Sequence, residues 1–387
     1  MAGKRTIDDI ARLAGVSKAT VSRVLNHKPD VDPVTRERIL HIMEEEGFVP
    51  SITASGLAGG RSRLIGVLVP SFTWPLIPDV MRGVAEVVGL TPYEMVLYSI
   101  NDSLRDNGSN GDVIDHILAT KLTAGILAIL PGPSSRHVVR LHKHGFPVVM
   151  IDDQELPGEL PWIGADNQGG AYEAVCHLLR LGHRRIAHIQ GPMKHLCSHE
   201  RYQGYCQALE EAGLKVDPEL VLEGDFTPSG GRNVASKLFA LPVERRPTAI
   251  FAASDPMAYG VLAAAEEYGL HIPRDIALVG FDDIASSAHV RPALTTVRQP
   301  FYEMGQRGIK LLLSMLNTPR VPTRSDTAMN GFLSSLSLSS SYDAKENGST
   351  DGSPIRIQLP TSLIVRASCG SPHHFSDLSV STSGLSF

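Results

Sequence analysis

Residues 6–26 read TIDDIARLAGVSKATVSRVLN. Thr6, with Asp9 three residues on, is a capping-box-like helix start that uses Asp in place of the usual Glu. Ile7, Ile10, Leu13 and Ala14 follow at helical spacing and predict one buried face. Gly15 then permits a tight turn, Val16 plugs the small core beneath it, and Ser17 is an N-cap for a second helix. The inward residues of that helix are Val21, Val24 and Leu25, and small Ala11 lets the two helices cross closely. The pattern is a helix-turn-helix with its glycine where the turn needs one.

The second helix leaves Lys18, Ala19, Thr20, Ser22, Arg23 and Asn26 for an outside partner. In such a unit the N-terminal part of the second helix enters the DNA major groove. Lys18 and Arg23 can donate to guanine edges, and Ala19 is small enough to meet a thymine methyl group. Thr20, Ser22 and Asn26 are short donors suited to phosphate oxygens. The capping hydroxyls of Thr6 and Ser17 complete the expected DNA-facing set. A structural helical hairpin with a wetted surface fits the same spacing, so charge becomes informative. Up to residue 28 there are six Lys and Arg against two Asp, an excess of four positive charges in a chain whose net charge is −5. A basic head on an acidic body predicts that only the head meets an anionic partner.

A third helix is expected next, with Asp32 as cap, Pro33 at its first position and Val34, Ile39, Ile42 and Met43 as the buried stripe, ended by Gly47. The following FVPSITASGLAGGRS has Ser51 as a cap candidate but only one or two turns before Gly59-Gly60. So short a helix is not stable alone and reads as a linker, or as a helix that orders on binding.

From Leu64 the pattern changes. LIGVLVP, EMVLYSI, AGILAIL, FPVVMID, RIAHIQG, TAIFAAS and IALVGFD are short apolar runs separated by helical stretches such as QGGAYEAVCHLLRLG. Buried strands alternating with helices predict parallel sheets covered on both faces, and seven runs predict two doubly wound lobes. Ligands in such folds bind beyond the carboxyl ends of the strands. The residues there are Ser71, Phe72 and Trp74 after the first run, then Asp152, Ser254 with Asp255, and Asp282 with Asp283. Arg201 lies ten residues past RIAHIQG. Planar charged groups that bond neighbouring hydroxyls, with an aromatic face nearby, suit a sugar. Each carboxylate is equally readable as a helix N-cap, Asp255 best of all, and Trp74 as plain core packing.

TIDDIARLAGVSKATVSRVLN, the TRERI of the third helix and the hinge pattern Pro50-xxx-Ala54-xx-Leu57-Ala-Gly together resemble the headpiece of the lactose-repressor/galactose-repressor (LacI/GalR) family. GADNQGGAYEAVCHLLRLGHRRIAHIQGP, FAASD, VGFDD and PALTTVRQPFYEMG are similar to that family's effector-binding core. The resemblance implies an all-α helix-turn-helix headpiece joined to a two-lobe, periplasmic-binding-protein-like α/β core. It places Lys18 and Ala19 at base-reading positions and Arg23 as a reader or anchor. Ser51 and Ala54 fall in the hinge, where Leu57 wedges into the minor groove. Asp152, Arg201, Ser254, Asp282 and Phe301 match effector-pocket positions. The implied division is a DNA-binding domain at 1–49, a hinge at 50–61 and a core at 62–370. Lobe 1 takes about 62–163 and 294–321, and lobe 2 about 164–293 and 354–370. A Ser-rich insertion at 322–353 and a tail at 371–387 are expected to lack structure.

This chain departs from the family pattern at Gly56 in the hinge, in the SFTWPLIPD loop, at Pro256 and in the insertion. Gly56 costs a hinge helix about 1 kcal/mol relative to Ala.

The implied function is a transcription regulator, a repressor by preference. It binds palindromic double-stranded DNA as a homodimer and answers to a small molecule, a carbohydrate first and a purine or sugar phosphate second. Induction and corepression are both open. An enzyme is disfavoured: there is no GxGxxG after a strand, no P-loop and no HExxH, and His183 and His195 have no nucleophile placed by spacing. No cofactor or metal is called for, and no CxxC pair occurs among Cys176, Cys197, Cys206 and Cys369, which read as reduced thiols. No apolar run reaches the roughly 18 residues of a membrane span, and the first residues show no secretory signal. A cytoplasmic location is therefore expected, and a periplasmic sugar-binding protein, which would lack the basic head, is the weaker alternative.

Overall fold

The computed structural model describes residues 5–25, 28–48, 62–70, 72, 74–100, 117, 122–152, 158, 160–317, 345–347 and 354–370. The chain forms two compact units, Met1–Arg63 and Leu64–Phe387. Asn26, Ser51, Ala54, Leu57 and Ser71 lie outside the described residues, as do the 50–61 hinge, the 371–387 tail and most of the 322–353 insertion.

The first unit holds α1 (Ile7–Leu13), α2 (Lys18–Leu25) and α3 (Pro33–Glu45). Thr6 Oγ1 accepts the Asp9 N–H at 3.3 Å while the Thr6 N–H donates to the Asp9 carboxylate at 3.0 Å, closing the capping box. These donors hold the Asp9 carboxyl below its usual range. The exit from α1 is equally specified. Gly15 takes φ +64°, so its N–H reaches the Arg12 carbonyl and that of Val16 reaches Ala11, a Schellman closure that needs the left-handed residue. Asp32 caps α3 through the Thr35 N–H at 2.9 Å. Ile10, Val21, Val24 and Ile39 meet in a small core with Ala11, Ala14, Val31 and Met43.

Two expected core residues are not in it. Leu13 is 48% exposed and Val34 75% exposed. Ile10, Ala11 and Ala14 define the stripe α1 buries, and Leu13 lies off its side. Val34 stands five residues before Ile39, on the far side of α3 from the Ile39–Met43 pair.

In chain order the second unit begins with β1 (Leu64–Val69), α4 (Ile77–Val88), β2 (Glu94–Ser99), β3 (Gly125–Ile129), α5 (Ser135–Lys143), β4 (Val148–Ile151) and β5 (Trp162–Ala165). Then come α6 (Asn167–Arg180), β6 (Ile186–Gln190), α7 (Leu196–Glu211), β7 (Val221–Glu223), α8 (Pro228–Phe239), β8 (Ala249–Ala252), α9 (Asp255–Glu267) and β9 (Ala277–Asp282). It closes with β10 (Thr295–Arg298), α10 (Phe301–Asn317), β11 (Lys345–Asn347), β12 (Arg356–Leu359) and β13 (Ser362–Ile364). One sheet has the order β11-β12-β5-β4-β3-β1-β2 and the other β13-β10-β9-β8-β6-β7. Within each, five strands repeat one doubly wound order, β2-β1-β3-β4-β5 and β7-β6-β8-β9-β10, all parallel. Helices cover both faces. In lobe 1, α4 and α10 bury Val80, Val84 and Leu312 on one side, and α5 buries Val138 and Leu141 on the other. In lobe 2, α8 and α9 take one face and α6 and α7 the other.

The lobe boundaries drawn from sequence are corrected at two strands. β10 belongs to lobe 2, where it pairs with β9, and β12 belongs to lobe 1, where it pairs with β5. The chain therefore passes between lobes three times, at 166, at 299–300 and at 360–361. The first and third touch: Asp166 N–H donates to the Leu359 carbonyl and Thr361 Oγ1 to the Asp166 carbonyl. Alternation of strand and helix cannot say which sheet a strand joins, because both sheets accept the same apolar residues. The insertion is corrected as well, since its residues Lys345–Asn347 form β11, antiparallel to β12.

α4 and α10 approach so closely that Gly83 and Gly305 leave no room for a side chain. A Cβ on Gly305 would lie 2.1 Å from the Val80 carbonyl oxygen, and one on Gly83 would lie 2.1 Å from that of Tyr302. Gly305→Ala is expected to lower unfolding stability by about 1–3 kcal/mol, the usual range for overpacking. Urea denaturation checks it, and an unchanged midpoint would show that the helices part freely.

Candidate DNA-reading helix and effector cleft

Ser17, just before α2, and Lys18, Ala19 and Arg23 on it are exposed, whereas Thr20 and Ser22 are half-buried. The Ser17 hydroxyl is partly committed: it accepts the Thr20 N–H at 3.1 Å and lies 2.9 Å from the Thr20 hydroxyl. Thr6 is likewise engaged in capping α1. Lys18 pairs with Asp8 at 2.9 Å and Arg23 with Asp30 at 3.6 Å, all four side chains being more than half exposed. Such surface pairs are worth about 0.2–1 kcal/mol each, so an incoming phosphate or guanine edge displaces them cheaply.

The second candidate site lies at the carboxyl ends of the strands of the core. Arg201, on the second turn of α7, is only 3% exposed. Its Nε donates to Asn167 Oδ1 at 3.0 Å, and its Nη1 donates to the Ala253 carbonyl at 2.5 Å and lies 3.7 Å from Asp282. The guanidinium also stacks 3.8 Å over the Phe281 ring. A buried cation is tolerable only with this degree of satisfaction. Asp282 ends β9 with φ +120°, and accepts Gln299 Nε2 at 2.6 Å. Burial pushes the Asp282 carboxyl up, and Arg201 opposes that rise.

Asp152, at the end of β4 in lobe 1, adopts φ +52°. The three passages between the lobes leave from the carboxyl ends of β5, β10 and β12, so these ends of the two sheets lie on the linked side of the core, where Asp152 also stands. Glu200 is a residue that spacing did not single out. Its carboxylate accepts Asn167 Nδ2 at 2.9 Å, and burial, reinforced by Asp152 and Asp166, pushes its pKa up to about 7. Asn167 thus links Glu200 to Arg201. A Glu directly before an expected pocket arginine was the available signal.

The remaining expected pocket residues are placed as follows. Ser254 is buried and caps α9 through the Met257 N–H at 3.4 Å. Asp255, expected to be that cap, is instead the first residue of α9. Its carboxylate points into lobe 2, accepting from Ile284 N–H, Ser287 Oγ and Thr296 Oγ1, and burial raises its pKa. Ser254 precedes the helix with extended dihedrals, so it alone can fill the cap. Trp74 is half-buried against the lobe 1 core, and Phe301 is 7% exposed in that same core. His195 precedes α7 with its ring edge-on to Phe226 at 5.6 Å, and desolvation lowers its pKa to about 4. His183 lies 3.1 Å from the Thr248 hydroxyl. The neighbouring Cys197 thiol is pushed by burial up to about 12, which makes it a poor nucleophile.

A small helical reading head and a separate two-lobed core with a polar cleft define a ligand-responsive DNA-binding protein. Comparison with known proteins supports the same class. Residues 6–51 match the model for bacterial regulatory proteins of the lacI family, and residues 175–331 match a periplasmic binding protein-like domain. Catabolite control protein A of Priestia megaterium is 35% identical over 320 residues, which cover 82% of this chain and 94% of that protein. The crystal structure of the Lac repressor dimer bound to operator and the anti-inducer ONPF superposes with a TM-score of 0.76 at 26% identity, covering 94% of this chain and 99% of that one. A complex of the transcriptional regulator CelR with cellobiose gives 0.63 at 29% identity over the same shares. The chain belongs to the LacI family of bacterial regulatory proteins. It is a DNA-binding transcription regulator controlled by a small molecule, and not an enzyme. Among the described residues no helix is long and apolar enough to cross a membrane.

The raised pKa of Glu200 has a definite consequence. Its folded pKa of about 7 lies above the ordinary 4.5, so the folded state keeps a proton that the unfolded chain releases. This residue therefore erodes stability as pH rises from about 4.5 to 7. Glu200→Gln removes that slope. In urea denaturation the variant is expected to gain on the wild type between pH 5 and pH 8, and parallel curves would contradict the assignment.

Proposed function

We propose that this protein is a repressor that binds a two-fold symmetric operator as a homodimer and is controlled by a carbohydrate held between its lobes. The observation that carries the reading is Arg201, buried and fixed at the cleft by Asn167, Ala253, Phe281 and Asp282. A preorganised planar donor among carboxylate acceptors is suited to vicinal hydroxyls. The similarity to a cellobiose complex and to an operator-bound repressor dimer supports both halves of the proposal. Asp152, Arg201 and Asp282 contact the ligand in this reading, with Ser254 and Trp74 at the rim and Phe301 shaping the wall. Ser71 belongs to the same loop as Trp74.

On DNA, Lys18 and Ala19 read bases and Arg23 reads or anchors, Thr20, Ser22 and Asn26 hold phosphates, and Leu57 wedges into the minor groove from the 50–61 hinge. Thr6 and Ser17 present their helix N-termini to the backbone. The protein works in the cytoplasm, beside the chromosome. Ligand binding changes the relative angle of the lobes, and it alters operator affinity only by its differential affinity for the two states.

The test has two stages. Purified protein is first used to select binding fragments from a random DNA pool, where a two-fold symmetric consensus is expected. No enriched sequence would overturn the reading. The selected operator is then titrated with and without mono- and disaccharides. Arg201→Lys, which keeps the buried charge, is expected to leave operator affinity within about threefold while cutting the sugar response at least tenfold. A full response would remove Arg201 from the pocket. Leu57→Ala is expected to weaken the operator far more than scrambled DNA, whereas equal losses would remove the wedge.

A further inference from the structure

β9 runs into two consecutive residues at positive φ, Asp282 at +120° and Asp283 at +54°. Neither is glycine, so the surroundings must hold them there. Asp282 is held by Gln299 and by the guanidinium of Arg201. Asp283 has a separate set of partners, and the effector reading uses none of them. Its side chain is only 6% exposed. Its Oδ2 accepts from Arg298 Nε at 2.7 Å and its Oδ1 from Arg366 Nη2 at 2.7 Å. Its N–H donates to Thr296 Oγ1 at 3.4 Å. The carboxylate is not a helix cap, because the short turn that follows, Ala285–Ala288, starts from Ile284 without a side-chain cap. A carboxylate with a guanidinium on each oxygen is strong and directional, and removing it strands the largely enclosed Arg366.

The two arginines belong to the segments that join the lobes. Arg298 ends β10, directly before the passage at 299–300. Arg366 follows β13, the strand that begins just after the passage at 360–361. It is anchored there by its own N–H on Thr295 Oγ1 at 2.8 Å and by its Nη1 on the Leu294 carbonyl at 2.8 Å. β13 runs antiparallel to β10, with Ser362 opposite Arg298. Gln299 then carries the second passage back to Asp282, its Nε2 donating to the carboxylate at 2.6 Å and its N–H to the carbonyl at 3.3 Å. Consecutive residues of the passage are therefore bonded to consecutive residues of the rim: Arg298 to Asp283, and Gln299 to Asp282.

We propose that Asp283 is a positioning residue of the effector site, which ties Asp282 and the second and third passages into one unit through Arg298 and Arg366. This rests on the reading of Asp282 as an effector contact. Turning of the lobes about the passages and displacement of the rim carboxylate then become one event. The tie is divided between the two oxygens. Loss of Arg298 frees the second passage, loss of Arg366 frees the chain beyond the third, and loss of the Asp283 charge frees both.

The test is hydrogen–deuterium exchange of the free full-length protein, resolved to single amides by fragmentation mass spectrometry. The Gln299 amide is bonded to the Asp282 carbonyl and reports on the second passage and the rim, and the Arg366 amide reports on the chain beyond the third passage. With rates corrected for the new side chains, Arg298→Gln is expected to speed the Gln299 amide about fivefold or more and to leave the Arg366 amide within about twofold. Arg366→Gln is expected to do the reverse. Asp283→Asn, which keeps a residue tolerant of the left-handed backbone, is expected to speed both. Amides of β6 and β8 are expected to be unchanged in all three variants. If both reporters respond alike to each arginine variant, or neither responds, the divided tie is overturned. Faster exchange reaching β6 and β8 would show general loosening of lobe 2 and would overturn it too. Should Asp283→Asn fail to fold, the opposed pattern of the two arginine variants decides alone. Neither sugar nor DNA is present, so failure here leaves the carbohydrate reading standing, and failure of that reading shows only in the titrations with sugars.

Discussion

A charge taken out of water organises the strand-end rim of lobe 2. Burying a guanidinium costs several kcal/mol unless its donors are satisfied, and Arg201 draws its partners from three places. Asn167 comes from the start of α6, Ala253 from the end of β8, and Phe281 and Asp282 from the end of β9. Those elements converge at this rim because doubly wound sheets bring strand ends and helix starts to one edge. The strain in Asp282 at φ +120° sits within the same network.

The three chain passages between the lobes give the cleft a mechanical character. β5 leads into α6, β10 into α10 and β12 into β13, and the first and third are hydrogen-bonded together at Asp166 and Thr361. Gln299 places the second passage against Asp282, so one of the linking segments touches a cleft carboxylate directly. In the proposed reading, a ligand at the rim acts on these linking segments, and control by it requires two packings of the same lobes, biased by contacts made in one more than in the other.

The strand-end positions were readable from sequence: the apolar runs alone put Asp152, Ser254 and Asp282 at the carboxyl ends of β4, β8 and β9, where the structure has them. Glu200 was not, because a helix residue has no strand end beside it, and its one signal, adjacency to Arg201, does not say which way its side chain turns. Asn167 was missed for a similar reason: it reads as an ordinary first-turn residue after a capping Asp. Ser254 and Asp255 exchanged roles, since adjacent polar residues at a helix start are distinguished only by which one has extended dihedrals.

By itself the sequence determined the short apolar runs and the period-3.6 segments, the capping box of α1 and the glycine turns, because these depend on contacts within a few residues. It also determined the class of the headpiece, whose turn at Gly15 and whose short core close locally. Tertiary structure alone decided that β10 pairs in lobe 2 and β12 in lobe 1. It alone set Leu13 and Val34 in water. The reason is common to both. Pairing and burial depend on groups distant in the chain, and hydrophobicity gives a strand or helix a buried face without naming the partner that covers it.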